Sequence, residues 1–259
     1  MPSGIAALTA AAVALAAWRA RSLTASGAVA AWMVGTLVLL GSGWQGGAVL
    51  AAFFVSSSAV SRLTLAAPGL DPKGHRRDHR QVLANGGPAA LGGLLGICCG
   101  QAGLWVITGS LAAAAADTWG TAIGSRSGPP PRLLWSGRVV PPGTNGGVTV
   151  LGSAAAAAGA LLVAALGALA AGAPRLLPLA ALVGFGGMLL DSALGAALQG
   201  RFVCPGCGEF SEWRVHRCGT PTVRQGGIAW LDNDGVNLAA TTAAALLALA
   251  GWAFSGPSP

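Results

Sequence analysis

Four aspartates occupy positions where this sequence can least easily carry charge. Asp117 follows an alanine run in "SLAAAAADTWG", and Asp191 interrupts "GMLLDSALGAALQG"; both stretches are otherwise apolar. An ionised carboxylate inside a membrane span costs several kcal/mol unless it faces a polar cavity or a partner, so such residues are read first as functional. An interhelical hydrogen bond or salt bridge is the alternative, and repetition of the feature in two spans weighs against it. Asp232 and Asp234 stand in "DNDGVN" (232–237), directly before an Ala- and Leu-rich run long enough to cross a bilayer. The remaining acids, Asp71, Asp78, Glu209 and Glu212, fall in loops where solvent is the default partner. Carboxylates of the first kind suit Mg²⁺, which takes a few carboxylates together with phosphate oxygens and waters. Asp117, Asp191, Asp232 and Asp234 are therefore the candidate magnesium ligands, and Asp117, Asp191 and Asp232 the candidate catalytic acids.

The complementary chemistry is anion binding. "QVLANGG" (81–87), "PPGTNGGVTVLG" (141–152) and "RQGGIAWLDNDGVN" (224–237) share a pattern of Gly flanked by small polar side chains. Gly lets backbone N–H groups turn toward an anion, and a helix starting just beyond adds its positive end. With the basic run "KGHRRDHRQ" (73–81) nearby, these segments nominate Arg80, Asn85, Gly86, Gly87, Gly143, Thr144, Asn145, Gly146, Gly147 and Asn237 as nucleotide- or phosphate-binding residues. No G-x-x-x-x-G-K-[ST] loop is present. Separately, "CPGCGEFSEWRVHRC" (204–218) offers Cys204, Cys207, His216 and Cys218, four soft ligands suited to tetrahedral Zn²⁺ in a structural role. A reduced compartment disfavours a disulfide there. Cys98 and Cys99, inside an apolar stretch, read as core packing.

The elements that must position these residues follow from composition. Of 259 residues, 53% are hydrophobic and only 9% charged, against about a quarter charged in soluble domains. The 41 glycines and the alanine runs allow close helix approach in lipid. The fold expected is all-α, a polytopic transmembrane bundle forming one membrane unit over 1–259. A Cys-rich loop at 200–234 is inserted between its last two spans. Candidate spans are 4–18, 27–42, 46–66, 83–100, 102–124, 146–172, 175–199 and 235–254. Breaks near Gly43 and Gly100 are short enough to permit seven, but eight places fourteen of the fifteen Lys and Arg on one side, leaving only Arg175 opposite. By the positive-inside rule that side is cytoplasmic, with both termini outside and the connections 67–82, 125–145 and 200–234 inside. A net charge of +7 could suggest nucleic acid, but basic residues confined to short loops point to topology and an anionic ligand or lipid surface instead. The first apolar stretch, Gly4 to Trp18, has no cationic segment before it and reads as a retained helix.

In order along the chain, "QVLANGG", "ADTWGTAIG", "PPGTNGGVTVLG", "LLDSALGAALQ", "CPGC…HRCG" and "LDNDGVN" resemble the integral membrane family that includes transmembrane-protein-19-like proteins and the plant chloroplast phytyl-phosphate kinase. The similarity runs from about Ser22 to Thr242. The resemblance implies a CTP-dependent kinase that converts a prenyl monophosphate to the diphosphate within a membrane. Mg²⁺ and CTP would be its cofactors, and membrane lipid, isoprenoid phosphate and nucleotide its partners. One position departs from the family's Asp-Thr-Trp-x-Ser-Glu-Ile-Gly: Ala122 stands where the pattern has Glu. The expected location is a bacterial inner membrane, with the long loops cytoplasmic. The rival readings are an ion-coupled transporter using Asp117 and Asp191 near the bilayer centre, and a non-catalytic lipid-binding protein.

Overall fold

Apolar Ala-, Leu- and Gly-rich segments satisfy every backbone group internally by becoming helices, the only open-chain solution available in lipid. The structure, a computed structural model, describes residues 1–63, 76–211 and 214–255; Asp71, Lys73 and Glu212 lie outside the described residues. Seven helices follow one another: α1 (Ser3–Arg19), α2 (Ala25–Leu63), α3 (His79–Cys99), α4 (Gln101–Gly124), α5 (Val150–Ala171), α6 (Leu176–Ala197) and α7 (Asn233–Ser255). Local chemistry sets several of their ends. Asp78 accepts the Gln81 N–H at 3.0 Å to start α3, and Thr149 accepts the Gly152 N–H at 3.0 Å to start α5. Left-handed Gly172 closes α5.

α2 is two helical segments in one. A straight helix of its 39 residues would separate its ends by roughly 58 Å. Instead the Arg62 guanidinium donates to the Ala20 carbonyl and the Ser22 hydroxyl, both at 2.6 Å, so the end of α2 lies beside its beginning. The reversal falls at Gly43, whose φ of 56° and ψ of −150° only glycine adopts readily. Residues 25–42 and 44–63 are thus antiparallel arms, and with the other helices they make eight helical segments among the described residues. The break at Gly100 works alike: φ 48° there separates α3 from α4.

α4 is the centre of the bundle, with α2, α3, α5, α6 and α7 packed around it. Residues 102–116 are buried without interruption. Small side chains permit this closeness: a Cβ on Gly184 of α6 would stand 2.9 Å from the Ala112 backbone, and one on Gly187 would stand 2.6 Å from the Ala113 Cβ. Charge segregates by end. Arg62 and Arg80 line a cavity at one end, whereas Arg175 bonds the Ser255 carbonyl at the other.

Among the described residues, short strands occur only in the connections. β1 (Arg132–Leu133) pairs with β2 (Gly147–Val148), and β3 (Arg201–Val203) lies between β4 (Phe210–Ser211) and β5 (Val223–Gly226), all antiparallel. Two expectations fail. "QVLANGG" is not a turn: the cap at Asp78 starts α3 before the motif, and lipid enforces internal hydrogen bonding through it. Cys98 and Cys99 are not core residues but exposed ones at the end of α3.

Candidate functional site

A cavity of about 890 Å³ opens among the helix ends that carry the basic residues. Asp117 enters it from α4, seven residues before that helix ends, and Asp191 from α6, six residues before its end. At 1.5 Å per residue both carboxylates sit about 10 Å inside their helix ends. α3 contributes Arg80 and Asn85 from its first two turns, and the start of α7 contributes Asp232, Asp234 and Asn237. The loop before α5 supplies Gly143, Thr144, Asn145, Gly146 and Gly147. Sequence segments far apart along the chain therefore meet in one wall.

Gly86 and Gly87 do not take part. Both lie inside α3, where their N–H groups are committed to the helix, and Gly86 instead makes room for Val34, 3.2 Å from where a Cβ would stand. In the loop the glycines do matter. Gly143 and Gly146 have φ of 83° and 76°, and a Cβ on Gly146 would collide with Ala196 and with the Ser192 carbonyl of α6. That contact holds the loop against the helix bearing Asp191. The Thr144 hydroxyl donates to the Pro141 carbonyl at 2.7 Å, closing the turn.

Electrostatics inside the cavity is mixed. The Arg80 guanidinium pairs with Asp232 at 2.7 Å and reaches Asp234 at 3.9 Å. The other Asp232 oxygen accepts the Gly235 N–H at 3.0 Å and caps α7. Asp234 and Asn237 are buried. The Asn85 amide donates to the Gln81 carbonyl at 3.0 Å, which leaves its buried Oδ1 without a hydrogen-bond partner among the described residues. The four aspartates share the cavity, but no three of them converge to within 4.8 Å, a closeness reached among the described residues only by the cysteine–histidine group. Without a cation, like-charged carboxylates at ligand distance would repel.

Several wall residues lie outside the set nominated for the site from the sequence. Ser58, Ser61 and Arg62 line the cavity from the second arm of α2; their i, i+3, i+4 spacing on one helix face was the available clue. Arg77 also lines it, its guanidinium 5.7 Å from the ring centres of both Phe53 and Phe54, and burial pulls its pKa down to about 10. Ala122 belongs to the same wall, as do Phe202, Arg214 and Trp230 from the long connection.

Beyond the cavity, two tight turns face each other. Cys204 and Cys207 sit on the turn between β3 and β4, where the Gly208 N–H donates to the Cys204 carbonyl at 2.8 Å. His216 and Cys218 sit on a second turn, closed by the Gly219 N–H to the His216 carbonyl at 2.8 Å. The four ligand atoms lie within 4.8 Å of one another, with Cys204 and His216 buried. Hydrogen bonding with Thr220 and His216 draws the Cys218 thiol down to about 5, while bonds to Cys218 and Cys204 push Cys207 up to about 11. Glu209 was expected to be merely solvated, yet it stands 3.3 Å from His216 Nε2 and 2.9 Å from Arg217.

Comparison with known proteins agrees with this architecture. A model of the family described as "Integral membrane protein DUF92" matches residues 8–245. Protein PGR of Arabidopsis thaliana is 31% identical over 264 residues, covering 87% of either chain. An uncharacterized membrane protein of Methanocaldococcus jannaschii is 30% identical over 187 residues, covering 70% of this chain and 76% of its own. Another, of Synechocystis, is 31% identical over 192 residues, covering 66% and 70%. No solved structure matches. The motif order, the eight-segment bundle and a match over most of the chain agree: the chain belongs to the integral membrane family DUF92, the same family that its motifs resemble.

Proposed function

We propose that this protein is a membrane kinase that transfers a phosphoryl group from a nucleoside triphosphate, CTP by resemblance, to an isoprenoid monophosphate. The observation carrying the proposal is that carboxylates and anion-binding groups line one cavity at the basic end of the bundle. Phosphoryl transfer needs positioning and charge neutralisation more than covalent chemistry by the protein. A lipid monophosphate would enter with its chain along the helices and its head group in the cavity. One of its phosphate oxygens attacks the γ-phosphorus, a P–O–P bond forms, and the bond to the β-phosphate breaks to release the nucleoside diphosphate.

Carboxylates beside Arg80 and uncharged amides make a donor set that fits Mg²⁺, which commonly takes one or two carboxylates and completes its shell with phosphate oxygens and water. One or two of Asp117, Asp191, Asp232 and Asp234, which share the cavity without three of them converging on one point, would hold the ion, whose contribution is to neutralise phosphate charge. Arg80 would offset charge on the transferred group, and Asn85, Asn145 and Asn237 would orient the phosphates by hydrogen bonds. The 143–147 turn would close over the nucleotide. We place the basic end on the cytoplasmic side of a bacterial inner membrane, since basic loops remain inside.

The kinase reading is favoured over an ion-coupled transporter because Asp117 and Asp191 share the cavity with Asn85 and Asn145. A non-catalytic lipid-binding role has one observation in its favour: Ala122 gives the cavity wall a methyl group where the family pattern has a carboxylate. Purified protein incubated with Mg²⁺, labelled CTP or ATP, and a panel of prenyl monophosphates tests the choice. Labelled lipid diphosphate is expected. Binding of the lipid without transfer from either nucleotide would decide for the non-catalytic role.

A further inference from the structure

Among the described residues, the cysteine–histidine group is the one cluster of strong ligands that the phosphoryl-transfer reading leaves unused, and its geometry is specific. Cys218 Sγ lies 3.6 Å from Cys204 Sγ and 3.5 Å from Cys207 Sγ, while His216 Nδ1 lies 3.1 Å from Cys218 Sγ and 3.7 Å from Cys207 Sγ. A tetrahedron with Zn–S bonds of about 2.3 Å has edges of about 3.8 Å, slightly shorter where nitrogen replaces sulfur. A disulfide would bring two sulfurs to about 2.05 Å and exclude the third; here both other cysteines are nearly equidistant from Cys218. Two independent turns present the ligands, each closed by its own backbone hydrogen bond and each containing a left-handed glycine, Gly208 at φ 70° and Gly219 at φ 82°.

The histidine shows how the site is oriented. Nδ1 faces the sulfurs and Nε2 faces Glu209 at 3.3 Å. A histidine bound to a metal through one nitrogen commonly donates from the other to a carboxylate, which fixes its tautomer and raises its basicity. Arg217 holds the same Glu209 oxygen at 2.9 Å. Three sulfurs and one nitrogen fill four positions and leave none for a substrate, as in structural rather than catalytic zinc sites.

The cluster also touches the main cavity through the backbone. Phe202 of β3, two residues before Cys204, and Arg214, two residues before His216, both line its wall. The Thr222 N–H donates to the Arg214 carbonyl at 2.9 Å, and the His216 N–H to the Thr220 carbonyl at 2.9 Å, so Arg214 belongs to the same hairpin as two of the ligands.

We propose that Cys204, Cys207, Cys218 and His216 Nδ1 bind one structural Zn²⁺, oriented by Glu209, and that this ion locks the 201–226 lobe so that Phe202 and Arg214 stay in the cavity wall. The proposal is independent of the kinase reading, because its measurements are metal content and lobe protection.

Full-length protein in detergent, prepared without added metal or a histidine tag, should contain one zinc per chain by elemental analysis. Cys207→Ser should lose it, whereas Cys98→Ser/Cys99→Ser should keep it. Should Cys207→Ser fail to fold, Glu209→Gln provides a second arm, since it alters an exposed side chain. Its zinc affinity in chelator competition should fall about 10- to 100-fold, the usual cost of removing such a carboxylate. Co²⁺ in place of Zn²⁺ should give the visible bands of a tetrahedral thiolate site. Chelation should raise hydrogen exchange across 201–226 while leaving α5 protected. Substoichiometric zinc in wild type after zinc loading, equal zinc in Cys207→Ser, or a disulfide between Cys218 and either other cysteine would overturn the metal site. Unchanged exchange in a lobe stripped of zinc would overturn the locking role.

Discussion

Asp191 and Arg80 represent two kinds of charge in one cavity, a carboxylate inside a helix and a guanidinium at the rim, and substitution should separate them. Asp191→Asn keeps size and hydrogen bonding but removes the charge a magnesium ligand must carry. Phosphoryl transfer should fall by about a hundredfold or more, while thermal stability holds or rises because an intramembrane charge has been removed. Lost stability with residual activity per folded molecule would mark a structural acid instead. Arg80 is half exposed and pairs with Asp232 at the surface. Arg80→Ala should therefore change stability by no more than about 1 kcal/mol, yet raise the KM for nucleotide; a large drop in Tm with unaltered KM would contradict that assignment. At this scale the sequence was most legible where charge violated its surroundings. Asp117 and Asp191 stood out because apolar neighbours made them costly. Arg62 and Glu209 did not, because a basic or acidic residue in or beside a loop is ordinary until its partner is known.

Helix packing makes a paired prediction on α6. Gly184 has the Ala112 Cβ 2.7 Å from where its own Cβ would stand, whereas Gly186 meets nothing within 4 Å. Gly184→Leu should destabilise the bundle by about 1–3 kcal/mol through overpacking. Gly186→Leu should be neutral or slightly stabilising, since leucine is the better helix former. Equal thermal shifts in the two variants would refute the α4–α6 contact. The helices themselves were readable to within a few residues, since the need to span lipid sets both length and composition. "QVLANGG" misled for a physical reason. Asn-Gly-Gly-Pro is turn chemistry in water, but here the helix runs through, and the Thr241 hydroxyl of α7 donates at 2.8 Å to the Ala84 carbonyl that Pro88 cannot bond. The usable signal lay upstream, in Asp78 capping three residues before Gln81.

For the molecule as a whole, charge sorting predicts topology. Cysteines introduced at Arg21 and Arg138 should react with an impermeant reagent from one side of the membrane, and one at Arg175 from the other, as read by peptide mapping. Reaction of the first two from opposite sides would sink the arrangement. Eight segments were legible because alternation of charge between ends needs an even count, and Arg62 lying beside Ala20 shows how the doubtful pair is joined. Convergence of three Gly-rich segments was legible only in part: sequence shows that they end on one side, but which of them face inward depends on packing. α4 carries a last consequence, for biogenesis. Among the described residues, five helices are long and apolar enough to cross a membrane by length and composition; the central α4 is not one of them. Its neighbours rather than lipid surround residues 102–116, and Asp117 near its end opens into the cavity. Taken alone, the newly made segment would then be expected to partition into the bilayer less readily than the five more apolar helices. Pairing with α3 across the tight bend at Gly100 is then the first contact that could hold it there before α5 and the later helices enclose it, which would make the core of the finished protein the segment most dependent on its neighbours during synthesis.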